Sequence, residues 1–156
     1  MRKLLPLFFL FCFGCSEAHA SYTYIPLYVQ HGGELPDDLD NTLRRHFGIG
    51  YEVAGNGMGA ITVNLIDECW VEGPRTICGR FNLGHRCSPA ITATRNSQTI
   101  AHEIGHAMGL AHSDDPTNIM YPTGGPNRND AESWQKVVVH AGATVLLEDI
   151  ECEQVE

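Results

Sequence analysis

The sequence has little positive charge, since 10 Lys and Arg residues stand against 19 Asp and Glu residues among 156. It contains no basic run, so we expect binding neither to nucleic acid nor to an anionic lipid surface. After the first twenty residues, no apolar segment is long enough to span a bilayer. Internal repeats and low-complexity tracts are also missing. A hydrophobic fraction of 43% with only 19% charged residues argues against a disordered chain, and the length suits one domain.

The N-terminus has the pattern of a secretory signal peptide. A basic start at residues 2–3 is followed by the apolar stretch 4–13 and by an Ala-His-Ala cleavage site at residues 18–20. This pattern predicts a signal peptide over residues 1–20 and a secreted or periplasmic domain over 21–156. The alternative is a lipoprotein, because Gly14-Cys15 resembles a bacterial lipoprotein box. In that case Cys15 would carry a lipid anchor.

The mature chain contains four cysteines, at Cys69, Cys78, Cys87 and Cys152. Four cysteines in an exported domain predict two disulfides, and all three connectivities stay open. Their wide spacing differs from the paired short spacing of Cys-ligated zinc sites.

The hydrophobic pattern predicts five strands and three helices. The strands are expected at residues 22–29, 51–54, 60–66, 76–82 and 90–94, with 76–82 at a sheet edge. Helices are predicted from Pro36, over Ser97–Leu110, and from Asn129 to Gly142. A strand, a helix and a strand in this order favour a crossover into a partly parallel sheet, with the helices on one face.

Residues 102–112 read HEIGHAMGLAH and place three histidines at a spacing that suits a metal. His102 and His106 are four apart, so a helix presents both imidazoles on one face. Gly109 can take the left-handed conformation that ends a helix and turns the chain. His112 can then return as a third ligand and leave one position open, as in catalytic zinc sites. A helix whose histidines merely face solvent fits this pattern less well.

Glu103 lies next to His102 on the predicted helix, beside the metal rather than on it. From there its carboxylate can accept a proton from a zinc-bound water, whose pKa the metal lowers. It can then pass that proton to the leaving amine. The sequence therefore predicts hydrolysis of a carbonyl compound with Glu103 as general base and without a Ser or Cys nucleophile.

The string HExxHxxGxxH, with Ser113 directly after the third histidine, resembles the signature of the matrixins, a branch of the metzincin zinc endopeptidases. The segment Asn118-Ile119-Met120-Tyr121-Pro122 is similar to the matrixin Met-turn. The motif resemblance covers residues 99–122, and elsewhere it extends only to the order of elements. It implies that Met120 forms a hydrophobic base beneath the zinc ligands without being a ligand itself.

The resemblance implies an α+β, metzincin-like zincin domain over residues 21–156, similar to a minimal bacterial-type matrixin catalytic domain. A twisted mixed sheet and two helices would lie above an active-site cleft, and an irregular lower part would end in one C-terminal helix. An extended peptide or protein substrate would pair with an edge strand near 76–82 or just after it. We expect a monomeric, secreted zinc endopeptidase. Calcium is a frequent family ligand, but no loop here specifies a calcium site.

Three features depart from the matrixin pattern. Gly124 stands where the family often has Tyr after the Met-turn, and no His-x-Asp set for a structural zinc is evident. The segment 74–79 resembles the Pro-Arg-Cys-Gly latency motif only loosely, and we predict Cys78 to be a disulfide partner. Two alternatives to a general protease stay open: a processing or toxin protease of narrow specificity, and a catalytically silent binding protein. The intact Glu103 argues against the silent protein.

Overall fold

The computed structural model describes residues 23–82, 89–123, 135–136 and 138–142. Its fold is α+β, as predicted. The helices and strands follow one another as β1 (Thr23–Val29), α1 (Leu39–Phe47), β2 (Ile49–Val53), β3 (Ile61–Ile66), β4 (Trp70–Glu72), β5 (Arg75–Ile77), β6 (Gly79–Asn82), β7 (Ala90–Thr94) and α2 (Ser97–Ala107). A single 3-10 turn, Gln30–Gly32, follows β1.

Five strands form a mixed sheet in the order β2-β1-β3-β7-β6. The strand β1 pairs in parallel with β2 and with β3, and β3 pairs in parallel with β7. The parallel pairing of β1 with β2 on either side of α1 confirms the predicted crossover. The strand β6 runs antiparallel to β7 and is the outermost strand on its side of this sheet, as far as the described residues go.

The core lies between one face of the sheet and the two helices. Alternate strand residues, such as Ile25 and Leu27 of β1, are fully buried because successive side chains point to opposite faces. They form one cluster with Leu43 of α1 and with Ile100 and Ile104 of α2. Because Ile100 and Ile104 pack into this core, the core determines which side of α2 faces the sheet and which side faces away from it.

Helix α1 begins at Leu39, three residues after the predicted start at Pro36. The main-chain amide of Leu39 donates to the carbonyl of Pro36, so the preceding residues form a turn. The side chain of Asp38 does not cap α1, since its carboxylate accepts a hydrogen bond from the hydroxyl of Ser97 at the start of α2. The hydrophobic pattern predicted this helix, but the residue at which it begins depends on the contact between Asp38 and Ser97.

The predicted edge strand 76–82 is in fact two strands, and this corrects the prediction. Strand β5 pairs antiparallel with β4, a strand that the hydrophobic pattern did not predict. Strand β6 pairs instead with β7 and so belongs to the five-stranded sheet. The division falls at Cys78, which forms a disulfide with Cys69 and whose carbonyl accepts a hydrogen bond from the amide of Thr94. The disulfide prediction is thus confirmed for this pair, while Cys87 and Cys152 lie outside the described residues.

Several predictions concern parts of the chain that the structure does not describe. These are the signal peptide 1–20, the alternative lipid anchor at Cys15, and Gly124, which stands where the matrixin pattern often has Tyr. The helix predicted over 129–142 is described only in part, and residues 135–136 and 138–142 are helical. In the described part of the chain, no helix combines the length and the apolar character that crossing a membrane requires.

Candidate metal centre

Helix α2 carries two of the predicted ligands and is fixed at its start by a side-chain cap. The side chain of Asn96 accepts hydrogen bonds from the amides of Gln98 and Thr99, at 3.0 and 3.1 Å. A cap of this kind is worth about 1 kcal/mol. Because Ile100 and Ile104 face the core, the helix has one rotational position, and in it His102 is buried.

The imidazoles of His102 and His106 meet at their Nε2 atoms, which are 3.1 Å apart. Each ring is held from behind by a main-chain carbonyl. The Nδ1 of His102 lies 2.8 Å from the oxygen of Ile119, and the Nδ1 of His106 lies 2.7 Å from that of Leu110. A carbonyl oxygen can only accept a hydrogen bond, so both Nδ1 atoms carry the proton. Both Nε2 atoms of the neutral rings are therefore unprotonated.

The chain leaves the helix before Gly109 and brings His112 back to the other two histidines. Helix α2 ends at Ala107, three residues before the predicted end. The amide of Leu110 donates to the carbonyl of Gly105, and Gly109 has a φ of 95°, which favours glycine. The ring centroid of His112 lies 4.7 Å from that of His106 and 5.4 Å from that of His102.

These three histidines have the donor set and the placement that a divalent metal requires. One ligand atom from each of His102, His106 and His112 lies within 4.8 Å of the others. Two unprotonated Nε2 atoms facing each other at 3.1 Å repel unless a cation or a proton lies between them. Imidazole nitrogen suits zinc, and a three-histidine site leaves a fourth position open. The residues therefore fit zinc.

The local electrostatics favour the neutral imidazole, which is the form that binds a metal. Burial lowers the pKa of His106 from its ordinary value of 6.5, and the hydrogen bond to the carbonyl of Leu110 raises it in part. The neighbouring His112 lowers the pKa of His106 further. The net direction is down, so His106 is ready to bind a metal at neutral pH.

Glu103, which directly follows His102 in α2, is buried against Gly79, the first residue of β6. A Cβ built on Gly79 would lie 2.5 Å from Oε1 of Glu103 and 2.9 Å from its Cγ. Only a residue without a side chain leaves the carboxylate this position. The edge strand and the predicted general base are thus direct neighbours.

Met120 is fully buried and packs against α2 between the two helical ligands. A Cβ on Gly105 would lie 2.5 Å from the sulfur of Met120 and 3.2 Å from Cζ of Phe47. The carbonyl of Met120 also accepts a hydrogen bond, at 3.0 Å, from the amide of Ser113, directly after His112. Met120 therefore contacts both segments that carry the histidines.

Sequence reasoning missed four residues around this site: Gly79, Gly105, Asn118 and Gln135. The two glycines had a usable signal, because glycine inside a helix or strand is costly and often marks a close approach of another group. Asn118 stands in the segment that resembles the Met-turn, but nothing in the sequence indicated its contact with Gln135, since this buried contact joins segments that are distant in sequence.

Comparison with known proteins finds similarity to the matrixins and to matrix metalloproteinases. The matrixin family model matches residues 31–137. Human matrilysin is 34% identical over 96 residues, which are 61% of this chain and 28% of matrilysin. Human matrix metalloproteinase-20 is 74% identical over 94 residues, which are 60% of this chain and 15% of that protein. The chain thus spans less than a third of the length of these curated relatives.

A solved structure supports the same fold. The crystal structure of metalloproteinase-II from Bacteroides fragilis superposes with a TM-score of 0.55, over 79% of this chain and 55% of that one. The sequence identity is 17%, so the likeness concerns the fold alone.

Proposed function

The chain belongs to the matrixin family, and on this basis we propose that it is a zinc-dependent endopeptidase that cleaves extended peptide or protein substrates. One observation carries the proposal: His102, His106 and His112 each bring a ligand atom to within 4.8 Å of the others, and the buried Glu103 directly follows His102 on the same helix. A helix that merely exposed its histidines to solvent would not bury His102 or tie two rings to carbonyls through Nδ1.

In this proposal the three histidines hold the zinc through ring nitrogens. The carbonyls of Ile119 and Leu110 orient two of the rings and keep the proton on Nδ1, as partners behind metal ligands commonly do. Zinc bound there supplies a Lewis acid that polarises a carbonyl and makes water more acidic. The exposed His112 lies on the solvent side of the cluster, where a substrate can approach.

The carboxylate of Glu103 moves the proton. It accepts a proton from the water that attacks the scissile carbonyl and delivers it to the nitrogen of the leaving amine. Burial of Glu103 keeps bulk water from competing for that proton and limits its rotation. The contact with Gly79 limits its position further.

We infer that the substrate pairs with β6, since an extended peptide can add a strand to an exposed sheet edge. Gly79 begins this strand and touches Glu103, so a peptide aligned along β6 would pass the general base. Main-chain hydrogen bonds would hold the substrate with its scissile bond near the metal.

We also propose that the protein acts outside the cytoplasm. The signal-peptide pattern of residues 1–20 supports export. The disulfide between Cys69 and Cys78 suits an oxidising compartment.

The test is hydrolysis of casein or of a quenched peptide by the purified protein with zinc, after chelation, and after zinc is restored. We expect activity to be lost with the metal and to return with it. The variant His112→Ala should lose both zinc and activity, whereas His31→Asn, an exposed histidine outside the cluster, should keep both. A rate that stays unchanged after verified removal of the metal would refute the proposal.

A further inference from the structure

Asn118 and Gln135 form a buried pair of amide side chains behind the metal centre. The Nδ2 of Asn118 donates to Oε1 of Gln135 at 2.8 Å, and the Nε2 of Gln135 donates back to Oδ1 of Asn118 at 3.3 Å. Gln135 is 0% exposed and Asn118 is 2% exposed. Two buried amides of this kind are stable only when their polar atoms are paired, because an unpaired buried polar atom loses its hydrogen bonds to water without replacement.

The orientation of this pair follows from the main chain. Oδ1 of Asn118 accepts a second hydrogen bond, at 2.8 Å, from the amide of Met120. An amide N–H can only donate, so the atom that faces it must be the oxygen of Asn118. The nitrogen of Asn118 then faces Gln135, whose oxygen must face it in turn. The network thus has one consistent arrangement.

The amide of Met120 and the carbonyl of Ile119 belong to the same peptide group. That carbonyl is the one that holds Nδ1 of His102 at 2.8 Å. A peptide group is planar and rigid, so its N–H and C=O turn together. Asn118 therefore fixes one end of a plane whose other end orients His102.

We propose that Asn118 and Gln135 are positioning residues for His102, which act through the Ile119–Met120 peptide group. Gln135 holds Asn118, Asn118 holds the amide of Met120, and the carbonyl of Ile119 sets the rotation and tautomer of the His102 ring. The proposal rests on the proposed role of His102 as a metal ligand. It adds that residues that are not metal ligands themselves set the affinity of the site.

The test measures zinc affinity of the metal-free protein by competition with a chromogenic chelator, so it does not depend on catalysis. We expect Asn118→Leu, which keeps the shape but removes the acceptor, to weaken zinc binding roughly ten- to a hundredfold. Gln135→Met should weaken it by a smaller factor. The double variant should lose no more than Asn118→Leu alone, because both residues act through one contact.

Ser97→Ala is the matched control. It removes the hydrogen bond that the Ser97 hydroxyl donates to Asp38 at the first residue of α2. It should therefore lower the free energy of unfolding but leave zinc affinity unchanged. If Asn118→Leu does not fold, Gln135→Met alone decides the question. Zinc affinity within twofold of the parent in the folded variants, or additive losses in the double variant, would overturn the proposal.

The same preparations separate this proposal from the proposed function. A parent protein that binds no zinc, or that cleaves no peptide when loaded, would refute the function. A parent that binds zinc and cleaves, beside variants of unchanged affinity, would refute only the positioning role.

Discussion

Gly79 of β6 and Glu103 of α2 are in such close contact that one methyl group does not fit between them. A Cβ on Gly79 would lie 2.5 Å from Oε1 of Glu103 and 2.8 Å from Cγ2 of Thr99. The strand proposed to align the substrate therefore also sets the position of the proposed general base. A substitution in β6 should therefore move the carboxylate of Glu103 while the three histidines keep their positions.

We predict that Gly79→Ala lowers kcat roughly a hundredfold while the bound zinc stays at the parental level. The added methyl displaces the carboxylate of Glu103, and a displacement of about 1 Å at a reacting group can cost that much. Gly55→Ala is the matched control, because a Cβ at Gly55 meets nothing within 4 Å. Parental kcat in Gly79→Ala would show that this contact does not position the base.

A second prediction concerns the packing of Met120 on Gly105. Alanine in place of a helical glycine normally stabilises by about 1 kcal/mol. Here the added Cβ would lie 2.5 Å from the sulfur of Met120, and overpacking costs about 1–3 kcal/mol. We expect Gly105→Ala to lower the free energy of unfolding in the parent and to raise it when Met120→Ala is already present. Urea denaturation of the four metal-free proteins measures this, and equal effects in both backgrounds would contradict the contact.

The outline of the fold could be predicted from the sequence because it depends on local patterns. The strand predicted at 90–94 is β7, with the same bounds, and the helix predicted from Pro36 is α1, which buries Leu39, Leu43 and Phe47. The start of α1 could not be predicted, since Asp38 pairs with Ser97 rather than capping its own helix. The division at Cys78 also depends on tertiary contacts, namely a disulfide and a change of partner strand.

In the candidate site, too, local sequence patterns predicted some residues, whereas others depend on tertiary contacts that the sequence does not show. The three histidines were predicted because their spacing follows from helix geometry and one turn, and the structure brings them together. Their roles in catalysis stay a prediction. The contact between Asn118 and Gln135 joins residues 17 positions apart through two neutral amides, and such a pair leaves no periodic or charge signal in a sequence.

Removal of the disulfide gives a third prediction. The bond between Cys69 and Cys78 closes a loop with a sequence separation of 9. Loop-closure entropy for such a loop corresponds to about 3 kcal/mol. We expect Cys69→Ser/Cys78→Ser to lose about that much free energy of unfolding, and to lose activity because Cys78 directly precedes Gly79. Unchanged stability in urea, with the parent disulfide verified by mass spectrometry, would contradict this.

The fourth prediction concerns pH. Burial lowers the pKa of His106 below the ordinary 6.5, so around pH 6 the unfolded chain binds more protons at this residue than the folded chain. Stability of the metal-free protein from this source is therefore present above pH 6.5 and is lost as the pH falls toward the lower pKa of the folded state. The loss between pH 7.5 and pH 5.5 should be smaller in His106→Gln than in the parent. Equal losses in urea denaturation would contradict the partly buried, neutral state of His106.

The central claim is that Glu103 moves the proton at a zinc site built from His102, His106 and His112. The most direct test compares the rate of quenched-peptide cleavage by zinc-loaded Glu103→Gln with that of the zinc-loaded parent. Glutamine keeps the size of the side chain but cannot accept the proton, so we predict a rate at least roughly a hundredfold lower with an unchanged zinc content. Cleavage by Glu103→Gln at the parental rate would contradict the account.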